Sequence, residues 1–137
     1  MKSCSGLSFI ELATCLAIVA ILAAVAVPGY QPQLRRARRF DAQHSLLTVQ
    51  ALQQRFRFDY GRYASGLSEL DASGSLALSP QGYYLLELRG DGAGWVALAT
   101  PTNQSQSANA PCRTFTLDDA GRRGATGSAD APRRCWK

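Results

Sequence analysis

From Leu12 to Val27 the chain runs 16 residues without a charge, and only Thr14 and Cys15 depart from Ala, Val, Ile and Leu. Extended back to Leu7, the stretch is 21 residues long. As a helix it would rise about 31 Å, enough to cross a bilayer core. Pro28 and Pro32 then bracket Gly29-Tyr30-Gln31. Each proline removes a helix hydrogen bond and Gly29 loosens the backbone, so a kink or a locally unwound turn is expected at residues 28–32. From 33 to about 60 the chain lacks Pro and Gly. There Ala42, Leu46, Val49, Leu52, Phe56 and Tyr60 recur at spacings of three and four, an apolar stripe that should pack on a sheet. Gly61 is placed to cap the helix.

The period then changes. Residues 64–81 are rich in Ser, Gly and Ala and read as a loop with one helical turn around Leu67–Leu70. Tyr84, Leu86 and Leu88 alternate with Tyr83, Leu85 and Glu87, which predicts a strand over Tyr83–Arg89. A turn through Gly90-Asp91-Gly92-Ala93-Gly94 leads into a second strand, Trp95–Ala99, and the two make a hairpin. A polar loop, Thr100–Pro111, precedes a third strand, Arg113–Leu117, ended by Asp118-Asp119-Ala120-Gly121. A fourth strand or an extended tail runs to Cys135-Trp136. The expected class is α+β: a long amino-terminal helix with a membrane half and a packed half, on a small antiparallel sheet with a cysteine-closed carboxy-terminal region.

At 137 residues, 46% hydrophobic and 18% charged, the chain is long enough for one domain. Its net charge of +5 is unevenly placed. Residues 34–63 hold seven arginines against Asp41 and Asp59, residues 64–119 hold two against six acids, and residues 120–137 hold four and Lys137 against Asp130. Arg35, Arg36, Arg38 and Arg39 crowd just past the apolar run, where lipid phosphates would attract them. Arg122, Arg123, Arg133, Arg134 and Lys137 form a second basic zone. Such zones are either solvated faces or phosphate contacts.

Cys112 and Cys135 lie 23 positions apart in the polar part of the chain, and neither belongs to a C-x-x-C. His44 is the only histidine, so a zinc site is not expected. A disulfide is the natural reading, and it places this region in an oxidising compartment. The chain carries no G-x-S-x-G and no phosphate-binding loop. Gly90–Gly94 lacks G-x-G-x-x-G spacing and precedes a strand, so it reads as a hairpin turn. Asp118 and Asp119 read as turn formers. The expectation is a protein that is not an enzyme and uses no cofactor or metal.

The apolar run has three physical readings. A secretory signal peptide is opposed by Glu11 and by an amino-terminal region with only Lys2 as its charge. A lipoprotein signal is opposed by order, since the apolar run follows Cys15 instead of preceding it. A retained membrane helix remains, with Glu11 as its anomaly, because a carboxylate there costs a few kcal/mol unless it is paired or near the interface.

Gly6-Leu7-Ser8-Phe9-Ile10-Glu11-Leu12, followed by the Ala/Ile/Val/Leu run to Pro28, resembles the class III signal of type IV pilins. The resemblance implies a leader, residues 1–6, cut after Gly6 by prepilin peptidase, with the new amino terminus at Leu7 methylated. It makes Glu11 the fifth mature residue and Pro28 the twenty-second. It gives Glu11 an assembly role, pairing with the amino terminus of a neighbouring subunit. Residues 7–33 become the transmembrane and assembly helix with its proline kink, and residues 34–137 the periplasmic head. Cys112-x-Thr114-Phe115-Thr116-Leu117-Asp118-x-x-Gly121-x-Arg123, with Cys135-Trp136 at the end, is similar to the carboxy-terminal region of minor pilins of the PilE and ComP-like kinds.

What the resemblance implies is a minor pilus subunit, serving pilus assembly, twitching motility and adhesion. Its partners would be other pilins, the membrane and the inner-membrane pilus assembly machinery. It would start in the bacterial inner membrane with a periplasmic head and end in an extracellular pilus. Two alternatives share the motif: a ComP-like pilin that binds DNA for natural transformation through Arg122, Arg123, Arg133, Arg134 and Lys137, and a pseudopilin of type II secretion. The arginines after the helix outnumber the single Lys2 before it. That charge bias favours a cytoplasmic carboxy-terminal side. The cleavage motif and the cysteine pair favour the opposite.

Overall fold

The computed structural model describes residues 8–102, 112–127 and 131–137. The chain divides into two compact units, Met1–Arg36 and Ala37–Lys137. One helix, α1 (Phe9–Tyr60, 52 residues), contributes to both. It starts on the Ser8 carbonyl, which accepts from the N–H groups of Glu11 (3.0 Å) and Leu12 (3.1 Å). Glu11 in the first turn suits the positive end of the helix dipole. Phe9–Ala26 is long and apolar enough to cross a bilayer, and its own chain buries none of it.

The unwound turn expected at residues 28–32 is not observed; the backbone there is helical. A proline forfeits its own backbone bond, but the Ala- and Val-rich turns before it and the Leu-Arg-Arg-Ala turn after it keep theirs, so the helix propagates through the pair. At the other end Gly61 adopts φ 71° and its N–H donates to the Arg57 carbonyl at 2.8 Å. Only glycine reaches that left-handed conformation at little cost, and the chain leaves the helix there.

A single-turn helix, α2 (Leu67–Leu70), lies where the Leu spacing placed it, and a 3₁₀ turn follows at Ser75–Ala77. The sheet has four antiparallel strands in the order β1 (Tyr84–Gly90), β2 (Trp95–Pro101), β3 (Cys112–Asp118) and β4 (Arg123–Gly127). In register, Leu86 faces Ala99 and Leu88 faces Ala97 across β1 and β2, while Ala97 faces Leu117 and Ala99 faces Phe115 across β2 and β3. The inner face and the helix share one core: Tyr84, Leu86, Leu88, Trp95, Ala97, Ala99, Phe115 and Leu117 with Ala42, Leu46 and Val49. Two of the three inner positions of β2 are alanines, Ala97 and Ala99, which leaves room over this strand for the larger side chains of its neighbours. The tail is not extended, as one expectation had it. After β4 it forms a short helix, α3 (Ala131–Cys135), because Cys135 must return to Cys112 at the start of β3.

The apolar stripe is correct at Ala42, Leu46 and Val49, each fully buried, and fails at its end. Tyr60 is 68% exposed and Leu52 is half-buried, while Gln53 is fully buried. The Gln53 amide pairs twice with the backbone of Ala64: its Nε2 donates to the carbonyl and its Oε1 accepts from the N–H, both at 2.9 Å. It does for the loop after the helix what a neighbouring strand does for a sheet edge. Asp41 is the second polar tie on this face. Its carboxylate accepts from the Ser79 hydroxyl and the Gln81 N–H, and the Ser79 oxygen accepts from the Tyr84 N–H at 3.0 Å. Replacing Gln53 with Leu would strand a buried N–H and carbonyl, which costs about 2 kcal/mol. Thermal unfolding of Gln53→Leu is expected to shift the midpoint down by roughly 10 °C; a midpoint within 1–2 °C of the parent would contradict the pairing.

Candidate functional site

The carboxy-terminal tail carries most of the predicted contact residues, and covalent, polar and aromatic contacts hold it. The Cys112–Cys135 disulfide forms, with Cα atoms 5.7 Å apart and both residues buried. From α1, the Gln43 Nε2 donates to the Cys135 carbonyl at 2.7 Å, and the Arg39 guanidinium donates to the Arg134 carbonyl at 3.4 Å and lies 3.9 Å from the Cys112 Sγ. From β4, the Gly124 carbonyl accepts from the Trp136 indole N–H at 2.8 Å. The Trp136 ring stands edge-on to Phe115 at 5.9 Å, and Phe115 stands edge-on to Tyr84 at 5.8 Å, so an aromatic series runs from the tail into the core. A helix of five residues has no stability of its own. These contacts give α3 its shape and fix which side chains it turns outward.

The five basic candidates separate on that basis. Arg133, Arg134 and Lys137 are exposed, the arginines on α3 and the lysine after it. Arg123 is exposed but lies over the Trp136 ring, 5.2 Å from its centroid. Arg122 is bound to Asp118 at 2.6 Å, which raises its pKa. For Asp118, partial desolvation opposes ionisation, but hydrogen bonds from the Arg122 backbone and guanidinium outweigh it and hold the carboxyl below the usual range. Asp118 and Gly121 (φ 75°) thus build the β3–β4 turn, as the turn reading had it. The two arginines nearest the turn each have a partner in the head, although both are exposed, and the last three cations are exposed as well.

The remaining predicted residues are more scattered. Gly6 and Leu7 lie outside the described residues. Glu11 is exposed in the first turn of α1. Pro28 lies in the helical stretch of α1. His44 is on the exposed side of α1. An open cleft of about 380 Å³ lies between the β1–β2 and β3–β4 turns, lined by Arg89, Asp91, Asp118, Asp119 and Arg122 among others. Its arginines are already matched, Arg89 to Glu87 at 2.7 Å and Arg122 to Asp118. No group of three His, Cys, Asp or Glu suited to a metal occurs among the described residues. Sequence reasoning missed Arg39 and Gln43 as anchors of the tail. Their signal was spacing: they stand four apart and share a helical face.

A long helix, apolar in its first half and packed on a four-stranded antiparallel sheet in its second, with a disulfide closing the carboxy terminus, defines a type IV pilin fold. The chain is similar in structure to the Neisseria meningitidis non-core minor pilin PilV, at 20% identity and a TM-score of 0.52 over 73% of this chain and 94% of that one. Residues 28–116 match the family model described as type IV minor pilin ComP, DNA uptake sequence receptor, and the chain belongs to that family. No protein of curated function matches it significantly. It is therefore a type IV minor pilin, a structural subunit of a kind that associates with other pilins in a pilus, and its apolar helix agrees with membrane anchoring.

The disulfide closes a loop whose ends are 23 positions apart, worth about 3 kcal/mol of stability. Guanidinium unfolding with and without reductant is expected to differ by that amount, and the double variant Cys112→Ala/Cys135→Ala to match the reduced form. An unchanged midpoint would mean that the clasp constrains nothing.

Proposed function

We propose that the chain is made with a six-residue leader, removed after Gly6 by prepilin peptidase, and that Leu7 becomes the methylated amino terminus. The subunit waits in the bacterial inner membrane on residues 7–33, with residues 34–137 as a periplasmic head. The pilus assembly machinery then extracts it into an extracellular filament that serves motility and adhesion. The apolar segment Phe9–Ala26, with no cover from its own chain, supports this reading, because neighbouring helices in a filament supply the cover that lipid supplied before. Glu11 completes it: a carboxylate and a neighbour's terminal amine, each costly alone in an apolar core, neutralise one another and fix the register. Glu11→Ala or Glu11→Lys should leave leader removal intact and block incorporation into filaments, read by immunoblot of cell and sheared-pilus fractions. Normal incorporation of either variant would refute the pairing.

The family match favours a second role for the head: capture of DNA during transformation. The cations for it are Arg133, Arg134 and Lys137, presented outward by the pinned α3. They lie beyond the matched residues 28–116, so their exposure is the support for choosing them. Contacts to phosphate make such binding steeply salt-dependent. A gel shift of residues 34–137 with duplex DNA is expected at 50 mM salt and to weaken severalfold or more by 200 mM. Arg133→Gln/Arg134→Gln should weaken it further, by roughly tenfold. Absence of any shift at low salt removes DNA capture and leaves the filament role untouched.

A further inference from the structure

The two sulfurs of the clasp sit in unlike places. Cys112 belongs to β3, is paired with Gly127 of β4 and is buried in the core of the head. Cys135 is buried too, but on α3, two residues from the end of the chain. Before the S–S bond exists, hydrogen bonds and the Trp136 ring hold α3, and a five-residue helix adds no stability of its own. The tail therefore lifts away more readily than the strand does. The charges differ as well. Arg39, half-buried on α1, reaches to 3.9 Å from the Cys112 Sγ. The other charged groups on the elements around Cys112 are placed elsewhere. Asp41 is bound to Ser79 and Gln81, Arg38 lies over the Tyr83 ring, and Arg113, Arg133 and Arg134 are exposed.

We propose that Arg39 sets the order in which the clasp closes: Cys135 is the sulfur that a thiol–disulfide oxidase captures, and Cys112, beside the guanidinium, is the thiolate that resolves it. The chemistry balances in two exchanges. The Cys135 thiol loses its proton to solvent and attacks one sulfur of the oxidase disulfide. A mixed disulfide forms, and the oxidase's other sulfur leaves as a thiolate. The tail then docks, and the Cys112 thiolate attacks the Cys135 Sγ. The Cys112–Cys135 bond forms, the mixed disulfide breaks, and its electron pair leaves on the second oxidase sulfur. Two electrons have then passed from the cysteine pair to the oxidase. Arg39 acts on the second exchange. The thiolate is the attacking form, and an adjacent guanidinium, charged at every physiological pH, favours it. The same nitrogen that faces Cys112 donates to the carbonyl of Arg134, the residue before Cys135. One group thus favours the thiolate and guides the sulfur it attacks. The gain is bounded, because a more stable thiolate is a weaker nucleophile. A thiol pKa lowered by about one unit raises the thiolate fraction about tenfold at pH 7 and lowers its reactivity about threefold, so closure gains about threefold. Above the titration range only the loss remains.

The test uses the full-length chain in detergent micelles, with Cys4→Ser and Cys15→Ser so that only the clasp thiols remain. The reduced protein is mixed with oxidised glutathione, quenched in acid at intervals and alkylated. Mass spectrometry then separates dithiol, mixed disulfide and closed forms, and peptide mapping locates the glutathione. The adduct is expected on Cys135. Its closure in Arg39→Gln should be about threefold slower than in the parent at pH 7 and faster than in the parent above about pH 9, so the two pH profiles cross. If Arg39 served only to hold the tail, closure would be slower at every pH. Arg39→Lys keeps the charge and should recover the pH 7 rate to within about twofold, which keeps the test decisive if the glutamine disturbs docking. In concentrated guanidinium chloride, where helix and strand no longer meet, parent and variants should close at one rate. An adduct found mainly on Cys112, profiles that do not cross together with a lysine variant as slow as the glutamine one, or a difference that persists in denaturant overturns the assignment.

Discussion

Ala42, Leu46 and Val49 on one face of α1, pressed against the inner face of the sheet, are the contact on which the rest of the head depends. Three small or medium side chains do not bury much area. The sheet compensates with large ones: Trp95, Phe115, Tyr84 and Leu86 converge on the same helix face. One layer of helix on one layer of sheet has a single core, and every loop must close onto that core or stay in water. The Ala64 turn closes onto it through Gln53, and the segment before β1 through Asp41.

This arrangement explains why so many polar atoms are buried in so small a head. Asp41 and Gln53 meet backbone groups or a hydroxyl of the segments that close onto the core, so these two buried polar side chains are satisfied where they lie. The two ends of the helix face are served alike. Gln53 ties the chain that leaves α1, and Gln43 ties the chain that ends the molecule. Arginines here act partly as planar apolar surfaces: Arg57 covers the Tyr63 ring and also donates to its hydroxyl at 2.7 Å, and Arg62 covers Phe56 while bridging Glu69 at 2.8 Å. A positive net charge therefore overstates the cationic surface open to a partner.

The sequence was readable where the signal was periodic or covalent. The alternation of Tyr84, Leu86 and Leu88, the turn at Leu67–Leu70 and the pairing of Cys112 with Cys135 could each be seen in a short window or a simple count. Misses came where a side chain's role depends on a distant partner. Gln53 looks like a solvent-facing residue until Ala64 is brought beside it. Asp41 needs Ser79, and Arg39 and Gln43 need a tail more than 90 positions away. The short helix at Ala131–Cys135 carries Pro132 and two arginines and has little helical signal of its own, so nothing local announced it. Of the candidate site, charge identified the right stretch. Only the structure separates Arg122 and Arg123, which are engaged with Asp118 and Trp136, from the three cations that face outward.

The clasp between Cys112 and Cys135 has a mechanical side. A filament under tension loads its subunits through α1, and a head held by apolar contacts alone could unravel strand by strand. Here the strand-and-tail segment 112–135 is a closed covalent loop. That loop withholds roughly 80 Å of contour length from any extension. Gln43 and Arg39 join it to the helix by hydrogen bonds, so strain along α1 meets a segment that can part from the helix but cannot lengthen.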